Sequence, residues 1–170
     1  MLYRFGQREP KIAEDVFLAS NSIIIGDCEI RQRASIWFGT IIRADVNRII
    51  IGEMTNIQDL TVIHVDEGQP PVIIGNRVSV GHRAILHGCQ IEDECMIGMG
   101  AILLNRVKVG KNTIVAAGSV LLEDYIAPPG TLIAGVPAQV KREIKSEEIE
   151  WIRKVAEGYY RLAKQYQNAI

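Results

Sequence analysis

No stretch of this chain comes near the roughly 20 consecutive apolar residues that cross a bilayer, so no membrane-spanning helix is expected. Met1 to Lys11 is polar and charged and lacks the apolar core of a secretory leader, so no leader is expected there. An excess of one charge is also missing. Lys and Arg number 19 against 20 Asp and Glu, a formal net charge of −1, which argues against the basic face of a nucleic-acid binder and against a polybasic membrane patch. Aromatic residues make up only 6%. Cysteine is limited to Cys28, Cys89 and Cys95, an odd number without CxxC spacing; reduced thiols in a cytoplasmic protein are the simplest reading. Histidine is scarcer still in its distribution: His64, His82 and His87 are the whole complement, and they fall within 24 positions.

What the chain does have is isoleucine and valine, a bias toward strands, and at 170 residues enough length for one well-filled core. Aliphatic residues recur every six positions: Ile12, Leu18, Ile24, Ile30, Ile36, Ile42, and again Ile91, Ile97, Leu103, Val109, Val115, Leu121. Four positions after each stands a small or β-branched residue, as in Val16, Ser22, Cys28, Ala34, Thr40 and Val46, then Cys95, Ala101, Val107, Thr113 and Ser119, with Tyr125 as the larger exception. Glycine often follows the aliphatic residue, as in Ile51-Gly52, Ile74-Gly75, Val80-Gly81, Ile97-Gly98 and Val109-Gly110. A period of six fits neither an amphipathic helix nor a simple alternating sheet.

It does fit a solenoid of short strands. Each six-residue unit makes one flat side with its aliphatic residue inward and its small residue in the corner. Three sides make a triangular coil of 18 residues, and coils stack at the ordinary strand spacing of about 4.8 Å. The pattern resembles the hexapeptide-repeat, left-handed parallel β-helix, an all-β solenoid; the hand comes from that resemblance, since spacing cannot show it. The repeat is expected to run from Ile12 to Leu121 and to be ended by the prolines and glycines of Pro128-Pro129-Gly130 and Gly135-Val136-Pro137-Ala138. From Ser146 the period becomes helical, with Ile149, Ile152, Val155, Ala156, Tyr159, Leu162, Ala163 and Tyr166 on one stripe. Ser146 reads as the N-cap, with Glu147 and Glu148 in the first turn. The division is then a β-helix over 1–145 and a C-terminal α-helix over 146–170 packed on one of its sides.

Three irregularities flank the histidines. Three residues are extra between Ile42 and Ile51, five are extra between Ile63 and Ile74, and one is missing between Leu86 and Ile91. The second, Val65-Asp66-Glu67-Gly68-Gln69-Pro70-Pro71, reads as a protruding polar loop. Counting sides places Ile42, Ile63 and Leu86 in one column of successive coils. Arg43, His64 and His87, each directly after these, form a second column, with the two histidines close enough to share a metal ion. His82 belongs to the preceding side, the same side as Gln58 one coil earlier, and should not reach them, because zinc–nitrogen bonds are only about 2.0–2.1 Å long. Either His82 is unrelated or it belongs to a site completed by a neighbouring subunit, in which case Asn56 and Gln58 come from the His82 chain. Three histidines with a fourth position open is the catalytic form of a zinc site.

Arg43-Ala44-Asp45, Asn56-Ile57-Gln58-Asp59, His64 and His82-Arg83-Ala84-Ile85-Leu86-His87 resemble the gamma-class carbonic anhydrase family. The resemblance implies a homotrimer with zinc at its interfaces, His64 and His87 coming from one chain and His82 from the next. It implies reversible hydration of carbon dioxide to bicarbonate by a metal-bound hydroxide. Imidazole ligands suit zinc but also iron, cobalt and nickel, so Fe2+ or Co2+ is a further possible ion. It assigns Arg43 and Asp45 to the family's Arg–Asp pair, with Asp45 extending to an ion pair between subunits. It assigns Asn56, Gln58 and Asp59 to the polar residues about the site, Gln58 orienting the reacting oxygen. The chain departs from the family's archetype in two places: Val46 stands where a glutamate follows the Arg-x-Asp, and the loop after His64 is short, leaving Asp66 and Glu67 as the candidate proton-accepting carboxylates. In some members with a short loop a tyrosine of the C-terminal helix fills a missing polar role; Tyr159 is the candidate here. Packing inside the corners is the reading for Cys28 and Cys95. Rival readings are a hexapeptide-repeat acyltransferase, which shares the fold and the Gly135–Ala138 ending, and a family member that serves as a metal-binding scaffold or a thioester hydrolase.

Overall fold

Inward aliphatic residues six apart can all be buried only if the chain turns a corner after each one. The computed structural model, which describes residues 1–169, shows that arrangement. Short parallel strands stack into three faces, each seven layers deep. The inward column of the first face is Leu18, Ile36, Ile57, Val80, Ile97, Val115 and Ile133. That of the second is Ile24, Ile42, Ile63, Leu86, Leu103 and Leu121, with Leu2 paired below. That of the third is Ile12, Ile30, Ile51, Ile74, Ile91, Val109 and Ala127. These columns form one continuous core, in which most of the isoleucines are fully buried. The result is the left-handed parallel β-helix that hexapeptide repeats form.

The corners obey two different constraints. Among the described residues, nine that are not glycine, including Arg33, Leu60, Arg83 and Arg106, turn corners with left-handed φ near +60°. The glycines that follow the aliphatic residues do not have positive φ and answer to a different need, the close passage of the next coil. A Cβ on Gly98 would lie 2.4 Å from the backbone nitrogen of Ala117, and one on Gly81 would lie 2.6 Å from that of Met99.

The structure corrects four expectations. The repeat does not end at Leu121: Ala127 and Ile133 hold the same period, are buried, and complete the last layer. Pro128 and Pro129 are tolerated because they sit at a corner, where Pro128 contributes its carbonyl to the hydroxyls of Thr113 and Thr131. The stack is closed by an antiparallel pair, Thr131–Gly135 with Ala138–Glu143. Val65 is a fully buried core residue, so the protruding loop is Asp66–Pro71. Val46 is only half-buried and is no corner residue; it lies in a bulge described below. Finally, the helix Ser146–Ala169 has Lys145 at the N-cap position, and Glu148 returns its carboxylate to the Lys145 N–H at 2.8 Å, so the serine is the first helical residue. Arg142 grips the same Glu148 carboxylate with two hydrogen bonds of 2.7 and 2.8 Å and holds its pKa down near 2.

The helix runs back along the first face, from the last coils toward the first. Arg153 meets Glu94, Tyr159 meets Trp37, and Ala163, Tyr166 and Gln167 reach Phe17 and Val16. It buries Ile152 and Ala156 completely; a buried isoleucine contributes roughly 1.5–3 kcal/mol. The first face is therefore covered, while the second, which carries Arg43, His64 and His87, is not.

Candidate metal centre

The column predicted from the repeat is present. Arg43 pairs in register with His64, and His64 with His87. All three follow inward residues, so the pleat turns their side chains outward. The three irregularities of the repeat then shape what surrounds them.

The extra residues after Ile42 leave the ladder as a bulge: strand pairing jumps from Gly26–Ala44 to Cys28–Ile49. Gly26 sits against this bulge with φ +79°, where a Cβ would lie 2.1 Å from the Ala44 carbonyl oxygen. The bulge aims Asp45 back at the column. Its carboxylate accepts a 2.6 Å hydrogen bond from Arg43 and lies 3.3 Å from His64 Nε2, and its backbone carbonyl accepts from Arg8. Partial burial disfavours the Asp45 charge, but the Arg43 hydrogen bond and charge outweigh it and hold the carboxyl below its usual pKa. His64 is held toward its neutral form first by burial and then by the nearby Arg43 charge, with Asp45 opposing.

The residue missing after Leu86 gives a tight corner at Gly88, φ +58°. A Cβ there would fall 2.1 Å from Asn105 Oδ1, so glycine leaves room for the Asn105 side chain of the next coil to reach His87 Nδ1 at 3.0 Å. Asn105 belongs to no motif in the sequence; its only signal there is the residue missing after Leu86, one coil below it. Its amide nitrogen points at two carboxylates, Asp66 Oδ2 at 3.3 Å and Glu123 Oε1 at 3.5 Å. That polarity turns its oxygen to His87.

The extra residues after Ile63 form the loop that carries Asp66, whose Oδ1 lies 3.6 Å from His87 Nε2. The loop is tied down: Gln69 receives hydrogen bonds from Arg106 at 2.8 Å and from Asn47 at 2.6 Å. Arg106 in turn is held by Asp124 and Glu123. Glu67 is exposed, and no hydrogen bond or ion pair ties it to the described residues. Of the two candidate carboxylates, Asp66 is the one beside the histidines.

His82 lies elsewhere, as the side count required. Its Nδ1 is 2.7 Å from Asp59 Oδ2, and its ring is exposed near the junction of the first and second faces. Beside it the buried Gln58 and Asn56 form a chain of amides: Gln58 Nε2 donates to Asn56 Oδ1 at 3.0 Å, and Asn56 Nδ2 to Ser79 Oγ at 2.8 Å. Tyr159 packs edge-on against Trp37, ring centroids 5.4 Å apart. Burial and the nearby Asp59 charge raise its pKa. One chain thus carries two separated clusters: Arg43, Asp45, His64, Asp66, His87 and Asn105 in one, and Asn56, Gln58, Asp59, His82 and Tyr159 in the other. The cysteines take part in neither; all three are buried and free, and burial pushes the Cys89 and Cys95 thiols up to about 12.

Each imidazole turns one nitrogen to an oxygen: His64 Nε2 to Asp45, His87 Nδ1 to Asn105, His82 Nδ1 to Asp59. A neutral imidazole donates from one nitrogen and carries its lone pair on the other. With the outer nitrogens donating, His64 Nδ1 and His87 Nε2 face each other 3.1 Å apart as two lone pairs, with the Asp66 carboxylate alongside. Together His64, Asp66 and His87 offer three electron-pair donors within 4.8 Å of one another. A divalent cation placed among them satisfies all three at once. Oxygen partners on the far nitrogens are also what orient histidines as metal ligands, so the donor set fits a divalent ion.

Known proteins bear on this arrangement. A family model described as bacterial transferase hexapeptide (six repeats) matches residues 88–123. The carbonic anhydrase of Geobacillus kaustophilus is 36% identical over 167 residues, 98% of this chain and 91% of that protein. Gamma carbonic anhydrase 2, mitochondrial, of Arabidopsis thaliana is 42% identical over 92% of this chain, which spans only 58% of that longer relative. Among solved structures, a hexapeptide transferase family protein from Anaplasma phagocytophilum superposes with a TM-score of 0.93 at 40% identity, covering 97% of each chain.

Proposed function

The chain belongs to the gamma carbonic anhydrase family, and from that premise we propose that it is a metal-dependent carbonic anhydrase whose site is completed between chains of a homotrimer. The observation that carries this reading is the approach of His64 Nδ1 and His87 Nε2 to 3.1 Å, each ring turning its other nitrogen to an oxygen, with His82 held separately by Asp59. His64 and His87 hold the ion from one chain and the partner subunit's His82 from the next. Asp45, Asn105 and Asp59 fix the tautomers that make this possible. Zinc suits imidazole ligands, and Fe2+ or Co2+ would be accepted by the same set. Bound there, such an ion supplies Lewis acidity that brings the pKa of a water near 7.

The chain's own residues supply the rest. Gln58, whose amide is anchored by Asn56, orients the reacting oxygen from the His82 side. Arg43 neutralises Asp45, so that the carboxylate serves the His64 N–H and does not compete for the ion. Hydration of carbon dioxide yields bicarbonate and one proton, and Asp66, tied beside His87 by Asn105, receives that proton in place of the untethered Glu67. Tyr159 closes the edge of the Asp59 cluster as a packing residue. The cytoplasm suits three reduced, buried thiols, and no described helix is long and apolar enough to cross a membrane.

The experiment is stopped-flow hydration of carbon dioxide by metal-loaded protein beside His87→Ala. A rate at least a hundredfold above the variant is expected; equal rates would sink the reading. A second reading, a hexapeptide-repeat acyltransferase, draws on the resemblance to the hexapeptide transferase family protein. It needs no bound metal, so stoichiometric metal in the purified protein separates the two.

A further inference from the structure

The geometry points to a second, simpler metal site: one chain by itself holds a divalent cation through His64, His87 and Asp66, and assembly exchanges Asp66 for the partner subunit's His82. This inference rests on reading the two histidines as metal ligands. It goes further by giving the single chain a complete set of three donors.

Three observations carry it. First, His64, Asp66 and His87 are the described residues whose donor atoms gather within 4.8 Å, and His82 is not among them. The His64 Nδ1–His87 Nε2 separation of 3.1 Å and the His87 Nε2–Asp66 Oδ1 separation of 3.6 Å bracket the donor–donor edge of about 3.3 Å that zinc–nitrogen bonds near 2.0–2.1 Å impose on a tetrahedron. Second, in a neutral ring whose Nδ1 donates to Asn105, His87 Nε2 and Asp66 Oδ1 are both acceptors, so their 3.6 Å approach is repulsive unless a positive charge, metal ion or proton, lies between them. Third, Asp66 is fixed in place. Its Oδ2 accepts from Asn105 at 3.3 Å, and its loop is tied through Gln69 to Arg106 and Asn47. The adjacent Glu67 has no such anchorage.

Two imidazoles and a carboxylate form a harder set than three imidazoles, with positions left open, and favour Co2+, Fe2+ or Mn2+ relative to the all-histidine set. The single chain would therefore load its ion before assembly, and trimerisation would replace the carboxylate and leave Asp66 free for proton transfer.

The test is titration of the full-length chain with Co2+, following the visible d–d absorption, for wild type, His82→Ala, Asp66→Asn and the double variant. Asp66 is exposed and His82 half-buried at the surface, and circular dichroism checks that each variant folds; His82→Gln serves if the alanine variant does not. His82→Ala is expected to bind one Co2+ per chain, and the double variant at least about tenfold more weakly than it, a difference of about 1.4 kcal/mol. Asp66→Asn alone is expected to bind within about threefold of wild type, because the partner subunit's His82 completes its site. If wild type binds one ion per chain but His82→Ala binds no better than the double variant, Asp66 is not a ligand and this inference falls while the three-histidine reading stands. If wild type itself binds none, both fall.

Discussion

Asn105 Oδ1 lies 3.0 Å from His87 Nδ1 while the nitrogen of the same amide faces Asp66 and Glu123. One side chain thereby fixes which nitrogen of His87 carries the proton. Removing it should free the ring to rotate or change tautomer. Asn105→Ala is expected to lose about 10–100-fold in metal affinity, measured by competition against a chelator, with the melting temperature changed by much less than a core substitution would change it. Unaltered affinity would mean that Asn105 does not orient the ligand.

Gly88 makes that contact sterically possible. Its φ is +58°, and a Cβ would sit 2.1 Å from Asn105 Oδ1. Gly88→Ala should therefore reproduce the metal defect of Asn105→Ala and add a folding cost of about 1–2 kcal/mol for a left-handed alanine. Denaturant titration reads the second effect and chelator competition the first; a variant that lost stability but kept full affinity would separate the corner from the site.

Glycines elsewhere should respond with opposite signs. A Cβ on Gly98 would lie 2.4 Å from the Ala117 backbone nitrogen, whereas one on Gly158, in the C-terminal helix, would meet nothing within 4 Å. Gly98→Ala is expected to destabilise by about 1–3 kcal/mol, since the coils cannot separate locally. Gly158→Ala is expected to stabilise by about 0.5–1 kcal/mol through helix propensity. Urea unfolding of the two proteins side by side checks the pair, and a shared sign would contradict the stacking geometry.

The helix should loosen in acid. Arg153 donates twice to the Glu94 carboxylate, at 3.0 and 2.9 Å. That hydrogen bonding, opposed by burial and aided by the charges of Arg153, Lys111 and Arg77, lowers the Glu94 pKa from its ordinary 4.5. A carboxyl whose pKa is lower when folded binds more protons when unfolded. Its stabilisation is therefore complete above about 4.5 and is lost as pH falls through the folded value. Glu94→Gln should melt about 2–4 °C below wild type at neutral pH, and the gap should narrow and then close as pH falls below the ordinary carboxyl value of 4.5 and through the lowered folded value, as followed by thermal unfolding across pH. A gap that persisted in acid would assign the effect to packing.

Much of the fold was legible because one steric rule recurs at every layer. Aliphatic residues every six positions are buried by turning a corner after each one, and the rule holds from Ile12 through Ile133, past Pro128 and Pro129. The same arithmetic placed Arg43, His64 and His87 in one column and set His82 apart. What the count could not supply was the course of the chain where it is broken. The bulge that aims Asp45 at His64, the corner at Gly88 that admits Asn105, and the tethers that favour Asp66 over Glu67 depend on how extra or missing residues are absorbed against the next coil.

The sequence by itself therefore determined the solenoid, its three faces, the packed helix and the histidine column, because these follow from burial repeated at short range. Only the tertiary structure decided which oxygens stand behind the histidines and which carboxylate stands beside them. Asp45, Asp66 and Asn105 lie about one coil or more from the rings they meet along the chain, and the irregular corners between them, not the period, bring them within reach.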